Sequence, residues 1–141
     1  MLITLSVTLF AAMVCVLLHY EALLRLTFIS EAMRIRPRKR IVISIVGALI
    51  AHVVEVWVFS FCFYGLLKTG AHGKLLGNFS GSLSDCAYFS FSTYTSLGFG
   101  DITPTGPLRF LAGMEALTGL VLIAWTASYM FVQMQRHWDK R

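Results

Sequence analysis

Residues 93–101 read TYTSLGFGD, a polar, glycine-containing segment between two of the most apolar stretches of the chain. Gly98 and Gly100 flank one aromatic residue, and Asp101 closes the segment. These residues are typical of a turn in water, yet they lie between two stretches of membrane-spanning length. Non-helical backbone at membrane depth is tolerated only where it is buried in protein or lines a wet cavity. What this segment forms therefore decides the function of the protein.

The composition places most of the protein surface in lipid. Of the 141 residues, 57% are hydrophobic and 13% are charged, and the mean hydropathy is +0.71. A soluble domain carries nearly twice that share of charge. The three cysteines have no C-x-x-C spacing, and their odd number predicts no disulfide framework.

Three apolar runs of membrane-spanning length organise the chain. They cover residues 2–28, 41–67 and 108–134. Each has roughly 27 residues, or about 40 Å as a helix, which is enough to cross a ~30 Å hydrocarbon core with some tilt. The first basic residue, Arg25, lies near the end of the first run, whereas a signal peptide has its basic residues before the apolar stretch. We therefore expect the first run to be a retained transmembrane helix.

The basic residues predict the orientation of these helices, because lysine and arginine favour the cytoplasmic side of a membrane. We expect the linker 29–40 and the tail 136–141 to be cytoplasmic, in a multi-pass protein of the cell (plasma or inner) membrane with its N-terminus outside. Nine basic residues would then lie inside, namely Arg25, Arg34, Arg36, Arg38, Lys39, Arg40, Arg136, Lys140 and Arg141.

The outer connection between the second and third runs divides into a loop, a short helix and the opening segment. Residues 68–83 are rich in glycine and serine and predict a solvated turret. Residues 84–95 are half apolar and too short to span, so they predict a re-entrant pore helix. Ser84 can cap its start, and Asp85 suits the positive end of the helix dipole. The negative end of this dipole would favour a cation near the bilayer middle.

The filter segment, residues 96–101, follows the predicted pore helix. Gly98 and Gly100 can adopt left-handed backbone angles without steric cost, so successive carbonyls can turn to one side. A ring of such carbonyls from several chains replaces the water shell of a dehydrated cation.

Residues 93–101 resemble the potassium-channel pore signature T-x-x-T-x-G-[YF]-G-D, with Ser96 in place of the second threonine. The resemblance implies an all-α membrane protein with three transmembrane helices, a re-entrant pore helix and a selectivity-filter loop, assembled as a homotetramer. The potassium-channel pore domain would cover residues 41–135, with its inner helix at 107–134. The helix at 1–28 is additional to a minimal two-helix channel. Flanking residues also match the family layout, namely Tyr88, Phe89, Arg109 and Gly119.

The resemblance also implies roles for individual residues. Backbone carbonyls and the Ser96 hydroxyl would coordinate K⁺, while Asp101 would raise the cation concentration at the outer mouth. The coordinating residues would be Ser96, Leu97, Gly98, Phe99 and Gly100. The residues expected to support the filter are Ser92, Thr93, Thr95 and Glu115. K⁺ and membrane lipid are the implied partners, with no catalytic residue, no cofactor and no nucleic acid.

Glu115 and the inner helix leave alternatives open. An intramembrane acid predicts a functional role, and Glu115 either bonds to serines of the pore helix (Ser90 and Ser92) or faces the ion path. The inner helix carries a stripe that either lines the pore or packs against neighbours. This stripe follows Gly119, which is either a hinge or a close-packing site, and comprises Leu120, Ile123, Ala127 and Phe131, the last a possible constriction.

Four polar residues in the first two helices form a second candidate site, namely His19, Glu21, His52 and Glu55. His52 and Glu55 share a helix face, because they are three residues apart. Three interpretations remain open: a polar clamp between the additional helix and the pore domain, a proton-sensing switch, and a bound metal. His72 and His137 are expected to be solvated.

The sequence favours a potassium-selective channel without enzymatic activity. A non-selective cation channel is an alternative, because small changes in a filter can abolish selection. A small membrane metal-binding or redox subunit built on the His/Glu residues is the alternative from another class.

Overall fold

A computed structural model describes residues 1–32 and 37–138 of the chain. The described part contains four α-helices and one two-stranded sheet. In chain order, the elements are α1 (Leu2–Ala32), α2 (Pro37–Thr69), β1 (Leu75–Gly77), α3 (Leu83–Tyr94), β2 (Ile102–Pro104) and α4 (Leu108–Trp138).

Three of these helices are long and apolar enough to cross a membrane, over Leu2–Ser30, Arg38–Thr69 and Leu108–Arg136. The fourth helix, α3, has 12 residues and is too short to span. The expectation of an all-α membrane fold is therefore confirmed. Each long helix extends beyond the apolar run that predicted it, because polar end residues continue the backbone hydrogen bonding. Four of the basic residues used for the orientation lie outside the described residues, namely Arg34, Arg36, Lys140 and Arg141.

The short helix α3 packs against both α2 and α4, and α1 packs against the same two long helices. Aromatic side chains take part in the contact between α2 and α3, where the Phe63 and Phe89 rings meet edge to face with centroids 5.1 Å apart. The α1–α2 contact is close at Gly47, where a Cβ would lie 2.3 Å from a methyl carbon of Leu26. The additional helix is thus part of the packed core.

The connection between α2 and α4 contains a small sheet, whereas the sequence predicted only a solvated turret before the pore helix. Strands β1 and β2 pair antiparallel, with Leu75 opposite Pro104 and Gly77 opposite Ile102. Leu75 of β1 and Ile102 of β2 are buried, so each short strand contributes one apolar side chain to the core. The turret therefore anchors the chain that leaves the filter segment.

His72 is also buried, which contradicts the expectation that it is solvated. Its Nδ1 lies 3.0 Å from the Thr4 hydroxyl oxygen, and its exposed fraction is 6%. This contact joins the additional helix to the turret. Because its two residues are 68 positions apart in the chain, no local sequence pattern predicts it. The side chain of His137 lies outside the described part of the chain.

Candidate functional site

The N-cap of the pore helix α3 lies two residues before the position expected from the sequence. Ser82, with extended backbone angles of −79° and 157°, is the N-cap, and its hydroxyl accepts from the Asp85 N–H. Ser84 was the expected cap but lies within the first turn. Ser82 is the cap because its hydroxyl accepts from the free N–H of the residue three positions later. The Asp85 carboxylate accepts from the hydroxyl and the N–H of Ser80, which lowers the pKa of Asp85.

The C-terminal end of α3 leads directly into the filter segment. Thr95 caps the helix, and its N–H and hydroxyl both donate to the Phe91 carbonyl. The Ser96 N–H donates to the Thr93 carbonyl at 2.9 Å. Thr93, in the last turn of α3, and Thr95, its C-cap, thus lie next to the first filter residue.

Ser92 holds three successive N–H groups of the filter segment. Its carbonyl accepts from Leu97 at 2.9 Å and from Gly98 at 3.2 Å. Its hydroxyl oxygen accepts from the Phe99 N–H at 3.3 Å. The filter segment is therefore bound to the end of α3 through its N–H groups. Its carbonyl groups take no part in these hydrogen bonds.

The backbone of the filter segment alternates in handedness. Ser96, Gly98 and Gly100 have φ angles of 57°, 56° and 80°, and among the described residues no other non-glycine residue has a positive φ. Alternation of this kind turns successive N–H groups to one side and carbonyls to the other. The two glycines were expected from the sequence. The positive φ of Ser96 was not expected, because the left-handed conformation destabilises an L-residue by roughly 1–2 kcal/mol.

The side chains of the filter segment are exposed in the single chain. Leu97 is 61% exposed and Phe99 is 63% exposed. The ring of Phe99 stacks on that of Tyr88, with centroids 6.3 Å apart and planes at 6°. A hydrogen bond to the Asp101 carboxylate raises the pKa of Tyr88, so the pore helix is joined to the last residue of the filter segment.

The C-terminal end of the filter segment lies against the turret. The Asp101 carbonyl accepts from the Asn78 N–H at 3.0 Å, and a Cβ on Gly77 would be 2.0 Å from the same oxygen. Gly77 has a φ of 104°, so only glycine fits here without strain.

Glu115 is fully buried behind α3 and contacts the hydroxyl of Ser90. The Ser90 oxygen also lies 2.9 Å from the Val56 carbonyl. The Oε2 atom of Glu115 has no hydrogen-bond partner among the described residues. This geometry matches the interpretation in which Glu115 bonds to the pore helix, through Ser90. Ser92 binds the filter segment instead.

Gly119 and the stripe that follows it differ in burial. Gly119 is buried against the backbone of Tyr94, which corresponds to the close-packing alternative. The other stripe residues are exposed in the single chain, namely Leu120, Ile123, Ala127 and Phe131. Arg109, at the start of the same helix, is exposed as well.

Three of the four polar residues in the first two helices meet in a buried cluster. Glu55 Oε1 lies 2.9 Å from His19 Nδ1, and Glu55 Oε2 lies 3.0 Å from His52 Nδ1. The two imidazole centroids are 5.1 Å apart. His19 and Glu55 are fully buried, and the His52 side chain is 15% exposed.

Two further residues complete this cluster, and the sequence did not indicate them. The hydroxyl of Tyr94, at the end of α3, donates to Glu55 Oε2. The Thr126 hydroxyl of α4 lies 3.0 Å from His52 Nε2 and 3.1 Å from His19 Nε2. Each of the four helices therefore contributes a residue. Tyr94 and Thr126 were missed because their partners are 39 and more positions away in the chain.

Glu21 does not belong to the cluster. It is exposed and lies 3.4 Å from the Arg25 side chain on the same helix. Residues two apart on an α-helix point in nearly opposite directions, so Glu21 cannot share the inward face of His19. The grouping of Glu21 with the three buried residues was wrong for this reason.

Comparison with known proteins assigns the family. A family profile described as "Ion channel" matches residues 41–136, which is more than half of the chain. The protein therefore belongs to this ion channel family, and the resemblance noted for the pore segment is confirmed. An ion channel family is not a family of enzymes. No match to a solved structure is significant.

Two curated relatives match part of the chain. The inward rectifier potassium channel Kirbac3.1 of Paramagnetospirillum magnetotacticum is 37% identical over 57 residues, covering 40% of this chain and 19% of the relative. Protein LctB of Geobacillus stearothermophilus is 44% identical over 68 residues, covering 43% of this chain and 51% of the relative. The chain thus spans about a fifth and about half of the relatives it matches.

Proposed function

We propose that this ion channel conducts dehydrated K⁺ selectively, down its electrochemical gradient, through a filter formed by four identical chains. The observation that carries the proposal is the alternating backbone at Ser96, Gly98 and Gly100, combined with the three N–H groups held by Ser92. Together they leave a row of carbonyls free to replace water around a cation.

The need for several chains follows from the geometry of coordination. One row of carbonyls can contact only one side of an ion, so a ring requires copies of the same segment. A closed rotational arrangement of identical chains is the common solution for soluble and membrane oligomers. The exposed side chains of Leu97 and Phe99 would then pack against neighbouring copies. A homotetramer is proposed because each chain supplies one pore loop.

In the proposed channel, K⁺ passes through carbonyl sites of Ser96, Leu97, Gly98 and Phe99, with Gly100 and Asp101 at the outer mouth. The negative end of the α3 dipole favours the ion as it approaches from the inner side. The exposed stripe on α4 would line the inner cavity, with Phe131, which is 57% exposed, as its narrowest point.

The proposed orientation places the turret and the outer mouth outside the cell. Arg38, Lys39 and Arg40 lie at the start of α2, which favours a cytoplasmic position for that end. The N-terminus would then be outside and the C-terminus cytoplasmic, in the plasma or inner membrane.

The reversal potential of the purified protein in planar bilayers, with KCl on one side and NaCl on the other, tests the proposal. A value near the K⁺ equilibrium potential is expected. A value near zero would favour the second candidate, a non-selective cation channel. The observation that favours this candidate is Ser96, because the serine side chain lacks the methyl group that restricts the rotamer of threonine. Absence of current from tetrameric protein would contradict both candidates.

A further inference from the structure

A polar cluster to which the proposed conduction mechanism gives no role suggests a second ligand for this protein. It comprises His19, His52, Glu55, Tyr94 and Thr126, and it lies where all four helices meet. Buried polar groups of this kind are costly unless their hydrogen bonds are complete. The balance of hydrogen-bond donors and acceptors in the cluster therefore indicates which kind of ligand it can bind.

The two imidazoles face the same two partners in the same way. Each Nδ1 lies within 3.0 Å of a Glu55 oxygen, and each Nε2 lies within 3.1 Å of the Thr126 hydroxyl oxygen. If both neutral rings donate Nδ1–H to the carboxylate, both Nε2 atoms are acceptors that face one hydroxyl with a single proton. One acceptor then stays unmatched.

A cation between the two Nδ1 atoms removes this mismatch. Both rings would then carry their proton on Nε2 and donate it to Thr126, whose oxygen has two lone pairs. Histidines that bind a metal commonly donate their other ring N–H to such an acceptor. We propose that His19, His52 and Glu55 form a binding site for a divalent first-row transition metal ion of the zinc type.

The ligand atoms of the cluster lie close together. One ligand atom from each of the three residues lies within 4.8 Å of the others, so a small inward shift of the side chains would bring all three within reach of one zinc ion, whose bonds to nitrogen and oxygen are about 2.0–2.2 Å long. Two histidines and one glutamate are a known zinc ligand set, and imidazole also suits copper, iron and nickel. The Tyr94 hydroxyl, 3.0 Å from His52 Nδ1, is placed to become a fourth ligand.

The cluster is reached from one side. His52, Tyr94 and Thr126 line a cavity of about 480 Å³ between α2, α3 and α4. His52 is the ligand with partial exposure, so an ion entering from this cavity meets it first. His19 and Glu55 then close the site from the far side, and the ion would link the additional helix α1 to the end of the pore helix.

Zinc binding to the purified full-length protein, without a histidine tag, tests the proposal. After dialysis against a chelator, the protein is titrated with ZnCl₂, and bound metal is measured by mass spectrometry. One zinc ion per chain is expected. His19→Gln and Glu55→Gln should each lose this stoichiometric binding. The matched controls Glu21→Gln, an exposed acid on α1, and His72→Gln, a buried histidine elsewhere, should keep it.

Two further measurements remain informative if a ligand variant fails to fold. The unaltered protein loaded with CoCl₂ should show the visible absorption bands of a tetrahedral Co²⁺ site, and ZnCl₂ should abolish them. Thr126→Val keeps all three ligands but removes the acceptor of both Nε2 protons, so it should weaken zinc binding by about 10- to 100-fold.

The proposal is overturned if the unaltered protein binds no stoichiometric zinc, or if His19→Gln and Glu55→Gln retain it while folded. The cluster would in that case be completed by a shared proton. This test is independent of ion conduction, since metal content is measured without a membrane potential. Failure of potassium selectivity would leave the metal result standing, and the reverse also holds.

Discussion

Gly119 of the inner helix lies directly against the carbonyl group of Tyr94, the last residue of the pore helix. A Cβ on Gly119 would be 2.0 Å from the Tyr94 carbonyl oxygen and 2.9 Å from its carbon. This is backbone-to-backbone contact, so no side chain can rotate to make room. The position of the pore helix, and hence of the filter segment that begins two residues later, depends on the absence of a side chain here.

Gly119→Ala should therefore separate α3 from α4. We expect a loss of about 1–3 kcal/mol in stability, as for other insertions into a packed core, and a smaller tetrameric fraction. Gly113→Ala is the matched control on the same helix, because no atom lies within 4 Å of a Cβ at that position. Thermal unfolding in detergent and size-exclusion chromatography measure the two effects. Equal behaviour of the two variants would contradict the contact.

Ser92→Ala should loosen the outer half of the filter segment. The change removes the hydroxyl that accepts from the Phe99 N–H but keeps the carbonyl that holds Leu97 and Gly98. A hydrogen bond of this kind contributes about 0.5–1.5 kcal/mol, so the protein should fold while the K⁺/Na⁺ permeability ratio falls. Ser128→Ala, which alters an exposed serine of α4, should leave the reversal potential unchanged.

Gly98→Ala should abolish K⁺ current while the protein still assembles. No atom of the chain lies within 4 Å of a Cβ at this position, so the chain itself offers no steric obstacle. The cost arises from the φ of 56°, which an alanine adopts at a cost of about 1–2 kcal/mol. Single-channel recording and chromatography of the same preparation measure both properties. Normal conduction by this variant would show that the filter residues are wrongly identified.

Ser90→Ala should destabilise the region behind the filter. The Ser90 hydroxyl is the described contact of the buried Glu115 carboxyl group, whose other oxygen already has no partner among the described residues. Leaving a buried polar group without its bond costs about 1–3 kcal/mol. Thermal unfolding should detect this loss, and the double variant Ser90→Ala/Glu115→Leu should recover part of it. No recovery would indicate that Glu115 contributes through other contacts.

Ser80→Ala should change the acid sensitivity of the turret. The Ser80 hydroxyl and N–H hold the pKa of Asp85 below its ordinary value of 3.8. A lowered folded-state pKa contributes stability above the unfolded-state value, and this contribution is lost as the pH falls through the folded-state pKa. The variant should therefore be less stable than the parent near pH 7, and the difference should disappear as the pH falls through the lowered folded-state pKa. An NMR titration of the Asp85 carboxyl carbon should show its pKa moving upward.

Much of the fold could be predicted from the sequence because it depends on local patterns. Apolar runs of sufficient length require membrane-spanning helices, since backbone polar groups in lipid must be paired within the helix. The order of short helix, serine, two glycines and acid likewise indicated the filter segment. The N-cap was misplaced by two residues because Ser82 and Ser84 both satisfy the local rule for a cap.

The candidate sites depended more on contacts between distant residues. The pairing of Glu115 with Ser90 was one of two sequence alternatives. Burial of His72, by contrast, required knowledge of where α1 lies. Among the cluster residues, the sequence indicated His19, His52 and Glu55, which are polar residues within apolar runs. It did not indicate Tyr94 and Thr126. Glu21 was misassigned because its place within an apolar run says little about which face of the helix its side chain occupies.

The sequence by itself determined the membrane class, the three long helices, the short pore helix and the glycine positions of the filter segment. Hydropathy and backbone sterics act over a few residues, so they can be read along the chain. Only the tertiary structure decided that Ser92 holds the filter N–H groups, that Ser96 is left-handed and that Tyr94 and Thr126 join His19, His52 and Glu55. These contacts arise where four helices pack, and packing brings together residues whose separation in the chain carries no signal.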